Sequence, residues 1–241
     1  MRRTASGEHV PYAIRGFRQR GHRDVSRIES FSDAVFGFSV TLLVVSLQVP
    51  RTFDDLLRVL GGFPSFALTF ALLAQIWYIQ YRFFRRYALQ DGPTIFLNIA
   101  LLFVIVFFTY PLKFLFGSIF VVDGNEPIIR GDQIAQMYGV YAIGYVSVFA
   151  IFALLHVHAL RKGEELALTP LEILDTRLSI GLAVFQIGVG LLSVGTAALF
   201  VSFGAYRTAS IVGGFTYALI PIGITTIRFA TRERRLELRK R

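Results

Sequence analysis

Cysteine is absent from all 241 residues, so disulfides and thiolate metal sites are excluded. Histidine is sparse and scattered, with four copies and no H-E-x-x-H pattern, so no metal site is expected. Charge is also scarce: 17% of residues are Asp, Glu, Lys or Arg, against about 25% in an average soluble domain. A soluble chain of this length would carry polar faces on most of its helices. Several motifs are missing too. There is no phosphate-binding P-loop, no T-V-G-Y-G loop to form a carbonyl filter, and no nucleophile–base constellation. No arginine ladder reads as a voltage sensor, and no paired broken helices suggest inverted repeats. The chain does not read as an enzyme.

What is present is apolar residue, 54% of the chain, gathered in long runs. The formal charge of +9 could point to nucleic acid. The arginines lie at the ends of the apolar runs instead, which is how membrane proteins place them, so no nucleic-acid partner is expected. Residues 1–26 are polar and arginine-bearing and the apolar stretch starts near Phe31, so no cleavable signal peptide is expected.

A bilayer-spanning helix needs about 20 mostly apolar residues. Six stretches qualify: Ile28 to Val49, Pro64 to Tyr81, Thr94 to Leu112 with continuation past Lys113 to Phe120, Tyr138 to Leu160, Leu178 to Phe203, and Thr208 to Ile227. Trp77, Tyr78 and Tyr81 read as interfacial aromatics, and Pro221 as a kink in the sixth stretch. The basic residues sort cleanly on this count. Twenty fall on the side holding both termini: Arg2, Arg3, Arg15, Arg18, Arg20, Arg23, Arg27, Arg82, Arg85, Arg86, Arg161, Lys162, Arg177 and seven from Arg228 to Arg241. Five fall opposite: Arg51, Arg58, Lys113, Arg130 and Arg207. The positive-inside rule then places both ends in the cytoplasm. The chain divides into a basic cytoplasmic segment at 1–26, a transmembrane domain at 27–230 and a basic tail at 231–241. The fold expected is an all-α membrane protein of six spans.

The longest outer loop, Val121 to Gln136, holds Asp123, Glu126 and Asp132. The inner segment Gly163 to Thr176 is expected to hold a short interfacial helix, with Thr169 as N-cap, Pro170 in the first turn and Glu172 closing a capping box. Gly181, Gly188 and Gly195 recur every seven residues and read as close helix packing, as does the Gly213-Gly214 pair.

The most unusual stretch runs from Arg27 to Asp33. Residues 34–49 number only sixteen, so the first helix must start near Ile28, which puts Asp33 inside the membrane envelope. Ser30-x-x-Asp33 ahead of an apolar run matches a capping box. An ionisable group at that depth also fits a buried polar network, with Arg27, Asn98 or Gln80 as partners. Both readings stay open, and in both Asp33 is structural rather than ion-coordinating. On the same helix Phe38, Thr41, Leu42 and Val45 fall at i, i+3, i+4 and i+7, one face. Asp33 is about 140° away from Phe38 at 100° per residue. The stripe can face lipid, a packed core or a symmetry axis. His156 and His158 are two apart, the wrong spacing for a shared metal. Interfacial hydrogen bonding or proton sensing remains open to them.

Arg27-x-x-x-Phe31-Ser32-Asp33, followed by Ala34-Val35-Phe36 and Thr41-Leu42-Leu43-Val44-Val45, resembles the first-helix signature of the bacterial transmembrane protein 175 potassium channels. Trp77 and Asn98 resemble family positions that pack around the Phe-Ser-Asp element. The resemblance implies a homotetramer in the bacterial inner membrane, with the first helices around a central pore. It implies permeation of potassium and other monovalent cations, with no cofactor and no carbonyl filter. Phe38 then falls at the hydrophobic constriction, Thr41 at the position linked to selectivity, and Leu42 and Val45 at pore-facing positions. Selectivity for potassium over sodium is expected to be modest. The partners implied are further copies of the chain and membrane lipid. Two departures stand out: Phe38 replaces the usual isoleucine or leucine, and Tyr81 stands on the helix where relatives often carry histidine. The rival readings are a proton-coupled secondary transporter using Asp33 and His156, and a membrane scaffold that conducts nothing.

Overall fold

The computed structural model describes residues 12–13, 17–18, 26–45, 49–120, 129–232 and 236–238. Tyr12–Ala13 (β1) and Phe17–Arg18 (β2) pair antiparallel, Tyr12 opposite Arg18. The helices are α1 (Arg27–Val45), α2 (Phe53–Gly61), α3 (Phe63–Tyr87), α4 (Gly92–Phe120), α5 (Ile134–Arg161), α6 (Pro170–Ser202), α7 (Tyr206–Phe215) and α8 (Leu219–Ala230). Six segments are long and apolar enough to cross a bilayer: α1, α3, α4, α5, α6, and Tyr206–Ile227 across α7 and α8. The chain is a multi-pass membrane protein. Much of the basic N-terminal segment and the last residues of the tail lie outside the described residues, as do Asp123 and Glu126.

Local chemistry explains the boundaries. At α6 the Thr169 hydroxyl accepts from the Glu172 amide while the Glu172 carboxylate accepts from the Thr169 amide, the expected capping box. The helix does not end after a short interfacial piece, however. Nothing between Pro170 and Ser202 breaks it, so cap and fifth span form one rod of 33 residues. In the sixth span Pro221 has no N–H to give the carbonyl four residues back, and the chain tightens into a 3-10 turn over Thr216–Ala218. The departure from α-helical geometry thus sits at this 3-10 turn, just ahead of the proline. Pro111 leaves α4 continuous to Phe120, and its carbonyl accepts a hydrogen bond from Tyr141 Oη at 2.7 Å.

Helix α2 has no counterpart among the sequence expectations. Thr52 and Asp55 cap it reciprocally. Phe53, Leu56, Leu57 and Leu60 form one exposed apolar stripe. Asp54, Asp55 and Arg58 kept this segment out of the apolar runs.

Two groupings make the fold. Helices α1, α3 and α4 pack together, α5, α6, α7 and α8 form the second group, and α4 against α5 joins them. The main core draws Phe36 from α1, Leu73 and Phe83 from α3, Leu101 and Ile105 from α4, and Phe152 and Leu155 from α5. Apolar residues also cover the outside: Phe96, Phe103 and Phe107 point away from the bundle on α4. The glycine repeat is corrected here. Gly181, Gly188 and Gly195 face open space, with nothing within 4 Å of an added Cβ. Close approach occurs elsewhere. A Cβ at Gly213 would stand 2.8 Å from the Tyr138 ring, and one at Gly190 3.0 Å from the Tyr145 ring.

Candidate ion pathway and the polar cluster behind it

Helix α1 begins one turn earlier than a Ser30–Asp33 box would start it. Ser26 caps it: the Glu29 amide donates to Ser26 Oγ at 3.3 Å, and the Glu29 carboxylate accepts from the Ser26 amide at 3.0 Å. Asp33 is thereby released from capping. Its Oδ1 accepts from Trp77 Nε1 at 2.7 Å, and none of Arg27, Asn98 or Gln80 is its partner. Asn98 and Gln80 serve the neighbouring residue instead. Gln80 Nε2 donates to Asn98 Oδ1, Asn98 Nδ2 donates to Ser32 Oγ at 2.9 Å, and Ser32 Oγ donates to the Ile28 carbonyl at 2.7 Å. All three side chains are buried: Ser32 is 1%, Gln80 2% and Asn98 0% exposed. Trp77 and Asn98 thus contact the Ser32–Asp33 pair, while Phe31 and Arg27 are exposed. Tyr81 stacks on Trp77 with ring centroids 5.7 Å apart and does not bond to Asp33 directly.

The face of α1 that meets the bundle carries Ser32, Phe36, Ser39 and Leu43, all buried. The far side is bare within the subunit. Phe38 is 55% and Val45 71% exposed; Thr41 is exposed and Leu42 is half-buried at the flank. The Thr41 hydroxyl donates to the Gly37 carbonyl at 2.9 Å, so its oxygen presents lone pairs outward.

That stretch of the chain falls within the match to a family profile. The family profile described as "Endosomal/lysosomal potassium channel TMEM175" matches residues 27–108. A protein of Marivirga tractuosa named "Potassium channel" is 36% identical over 244 residues, covering 96% of each chain. The chain belongs to the TMEM175 family of potassium channels. The fold agrees: the crystal structure of the potassium channel MtTMEM175, a threonine-to-alanine variant with a nanobody–MBP fusion, superposes with a TM-score of 0.78 at 36% identity. That overlap covers 91% of this chain and 99% of that one. A Streptomyces collinus potassium channel is 28% identical over 144 residues, 57% of this chain and 65% of that one. TMEM175 relatives are channels, not enzymes.

The histidines separate from one another. His156 is 6% exposed, edge-on to Phe83 and Tyr87, with Nδ1 against the Phe152 carbonyl at 2.7 Å. With Asp33 held by Trp77, the two groups that the transporter reading needs are each engaged elsewhere. His158 meets Asp91 at 2.7 Å, and Lys162 reaches the same carboxylate at 3.1 Å. Asp91 also accepts from the Thr94 amide at 3.2 Å, capping α4. Burial alone would raise the Asp91 pKa. The contacts at Thr94, His158 and Lys162 outweigh it and hold the carboxyl well below the usual carboxylate range. Because the folded value is depressed, this stabilisation is present above an unfolded value of about 3.9 and is lost as pH falls further. Asp91→Ala is expected to lower thermal stability in detergent by about 1 kcal/mol, the worth of a cap. The gap to wild type should hold from neutral pH down to about pH 4. A gap that vanishes already at neutral pH would assign Asp91 no structural role.

Proposed function

We propose that this chain is a potassium-permeable cation channel in the bacterial inner membrane, assembled as a homotetramer with the α1 helices around a central pore. Phe38 forms the hydrophobic constriction, Thr41 the selecting ring, and Leu42 and Val45 the rest of the wall. One observation carries the reading: α1 anchors one face to its own subunit through Ser32, Ser39 and Leu43 and leaves Phe38, Thr41 and Val45 uncovered. Membership of a potassium-channel family supports it. The excess of basic residues on the terminal side supports cytoplasmic ends.

A narrow apolar ring excludes water and gates by dewetting. Opening rotates or separates the α1 helices until the Phe38 rings leave the axis. Thr41 oxygens then replace part of the ion's hydration shell. Their protons are directed at Gly37 carbonyls, so the lone pairs are free for a cation. A single ring of neutral hydroxyls gives few fixed ligands, so discrimination between potassium and sodium is modest. At the outer side Asp132 lies 3.5 Å from Arg130 in an exposed pair, which weakens its pull on cations.

Thr41→Val keeps the shape and removes the oxygen. In proteoliposomes under bi-ionic potassium and sodium gradients, the reversal potential of the variant is expected to move toward zero. An unchanged reversal potential rejects Thr41 as the selecting ring. Absence of any cation flux from the wild-type protein rejects the channel reading altogether.

A further inference from the structure

A cavity of about 400 Å³ lies inside the membrane-spanning region, where α3 and α4 face α5, α6 and α8. No residue of the Phe38–Val45 stripe lines it. Its floor includes Ile76, Ile105, Val148 and Phe149, all buried, and its rim includes the exposed Gln75. The size falls in the range of small-molecule sites, about 300–1,000 Å³.

The wall is mostly apolar, and its polar side chains are Gln75, Gln186, Tyr138, Tyr141, Tyr145 and Tyr217; Tyr138 and Tyr141 donate to the Ser210 and Pro111 carbonyls, and Gln186 is the buried amide. Gln186 is 8% exposed and lines the cavity. Its Oε1 accepts from Tyr145 Oη at 2.8 Å. Its Nε2 has no hydrogen-bond partner among the described residues. An amide N–H left unmet in hydrocarbon is costly, so the position calls for an acceptor.

Depth decides what kind of acceptor. Gln186 lies eight residues, about 12 Å, inside the Leu178 end of the fifth apolar stretch. The ester carbonyls of a lipid lie at the interface, about 15 Å from the midplane of a hydrocarbon core about 30 Å thick. An acyl chain would fill the apolar space and leave Nε2 bare. Water would satisfy Nε2 and leave the apolar share of the wall uncovered. A compact molecule with an apolar body and one acceptor meets both demands. We propose that this cavity is a binding site for such a molecule, a ketone- or ether-bearing hydrophobe of fragment size, held by the Gln186 amide with Tyr145 fixing that amide in place.

Benzophenone and diphenylmethane test this, because they share two rings and differ by a carbonyl against a methylene. With the full chain in lipid nanodiscs, benzophenone is expected to raise the melting temperature more than diphenylmethane does. Under long-wave ultraviolet light it is expected to label peptides containing Ile76 or Val148. Gln186→Leu should remove the preference for benzophenone while keeping the response to diphenylmethane. Val148→Phe fills the floor and should cut labelling about tenfold; a monodisperse elution profile checks that each variant is folded. The proposal is overturned by equal responses to the two compounds in the wild type, or by no response to either. Labelling scattered over the lipid-facing surface would also overturn it, as would labelling that appears only after a tightly held lipid is stripped from the protein.

Discussion

Phe38→Ala is expected to raise potassium flux about tenfold or more, the largest gain of any single substitution in this chain. A barrier lowered by only about 1.4 kcal/mol already gives a factor of ten, and truncation to alanine removes the whole phenyl ring from each subunit at the narrowest point of the proposed pore. The ring does not support the fold. Phe38 is 55% exposed within the subunit and belongs to neither buried cluster, so the truncation leaves no cavity in the core. A pore held shut by dewetting should also respond to polarity at constant size. Phe38→Tyr, which keeps the ring and adds a hydroxyl, should raise flux less than alanine does. Single-channel recording on purified protein in planar bilayers reads both. Unchanged conductance in Phe38→Ala moves the gate to another level of α1; loss of conductance would assign Phe38 to helix packing between subunits.

The largest expected loss follows Asn98→Ala. Asn98 stands at the middle of a buried chain, accepting a hydrogen bond from Gln80 and donating one to Ser32. Truncation leaves the Gln80 amide donor and one Ser32 lone pair unmet, each in a site excluded from water. A buried group deprived of its partner costs about 1–3 kcal/mol, although polar contacts between spans average nearer 0.6 kcal/mol in measured cycles. The expected result is a clear fall in the melting temperature of the detergent-solubilised protein, together with loss of flux because α1 loses its fixed rotation. Ser32→Ala removes only the terminal member and should cost less. If Asn98→Ala melts like wild type, the network does not hold α1.

Much of this fold is legible in the residues because a bilayer demands long apolar runs, and a run is visible without knowing what it touches. The six spans are of that kind, and the Thr169–Glu172 cap is legible as a separate polar signature. Helix α2 was not. Its stripe of Phe53, Leu56, Leu57 and Leu60 has helical spacing, but Asp54, Asp55 and Arg58 lower its apolar density below that of a span. Periodicity gives the direction of a side chain and not its partner. The rotation of α1 correctly separated Asp33 from the Phe38 stripe. Helical spacing named no partner for that carboxylate, and it was the family resemblance that put Trp77, the indole 44 residues away that reaches it, beside the Phe-Ser-Asp element. The glycine repeat on α6 failed for the opposite reason: small residues permit close approach without requiring it, and the tight contacts formed at Gly190 and Gly213. Within the site, Ser26 and Glu29 carry the same capping signature as Ser30 and Asp33, and the reciprocal hydrogen bonds form at Ser26 and Glu29.

The unbroken length of α6 has a mechanical consequence. Thirty-three residues make a rod about 50 Å long, against a hydrocarbon slab about 30 Å thick, so the helix projects beyond the apolar layer. Near its first turns Thr176 Oγ1 is bonded to Tyr87 Oη, 2.7 Å away at the end of α3. A stiff bar pivoting at its centre by about 5° displaces Thr176, about 15 Å from that centre, by about 1.3 Å, enough to stretch that pair beyond bonding range. Any rocking of α6 about its midpoint would therefore break the buried Thr176–Tyr87 pair in the same movement.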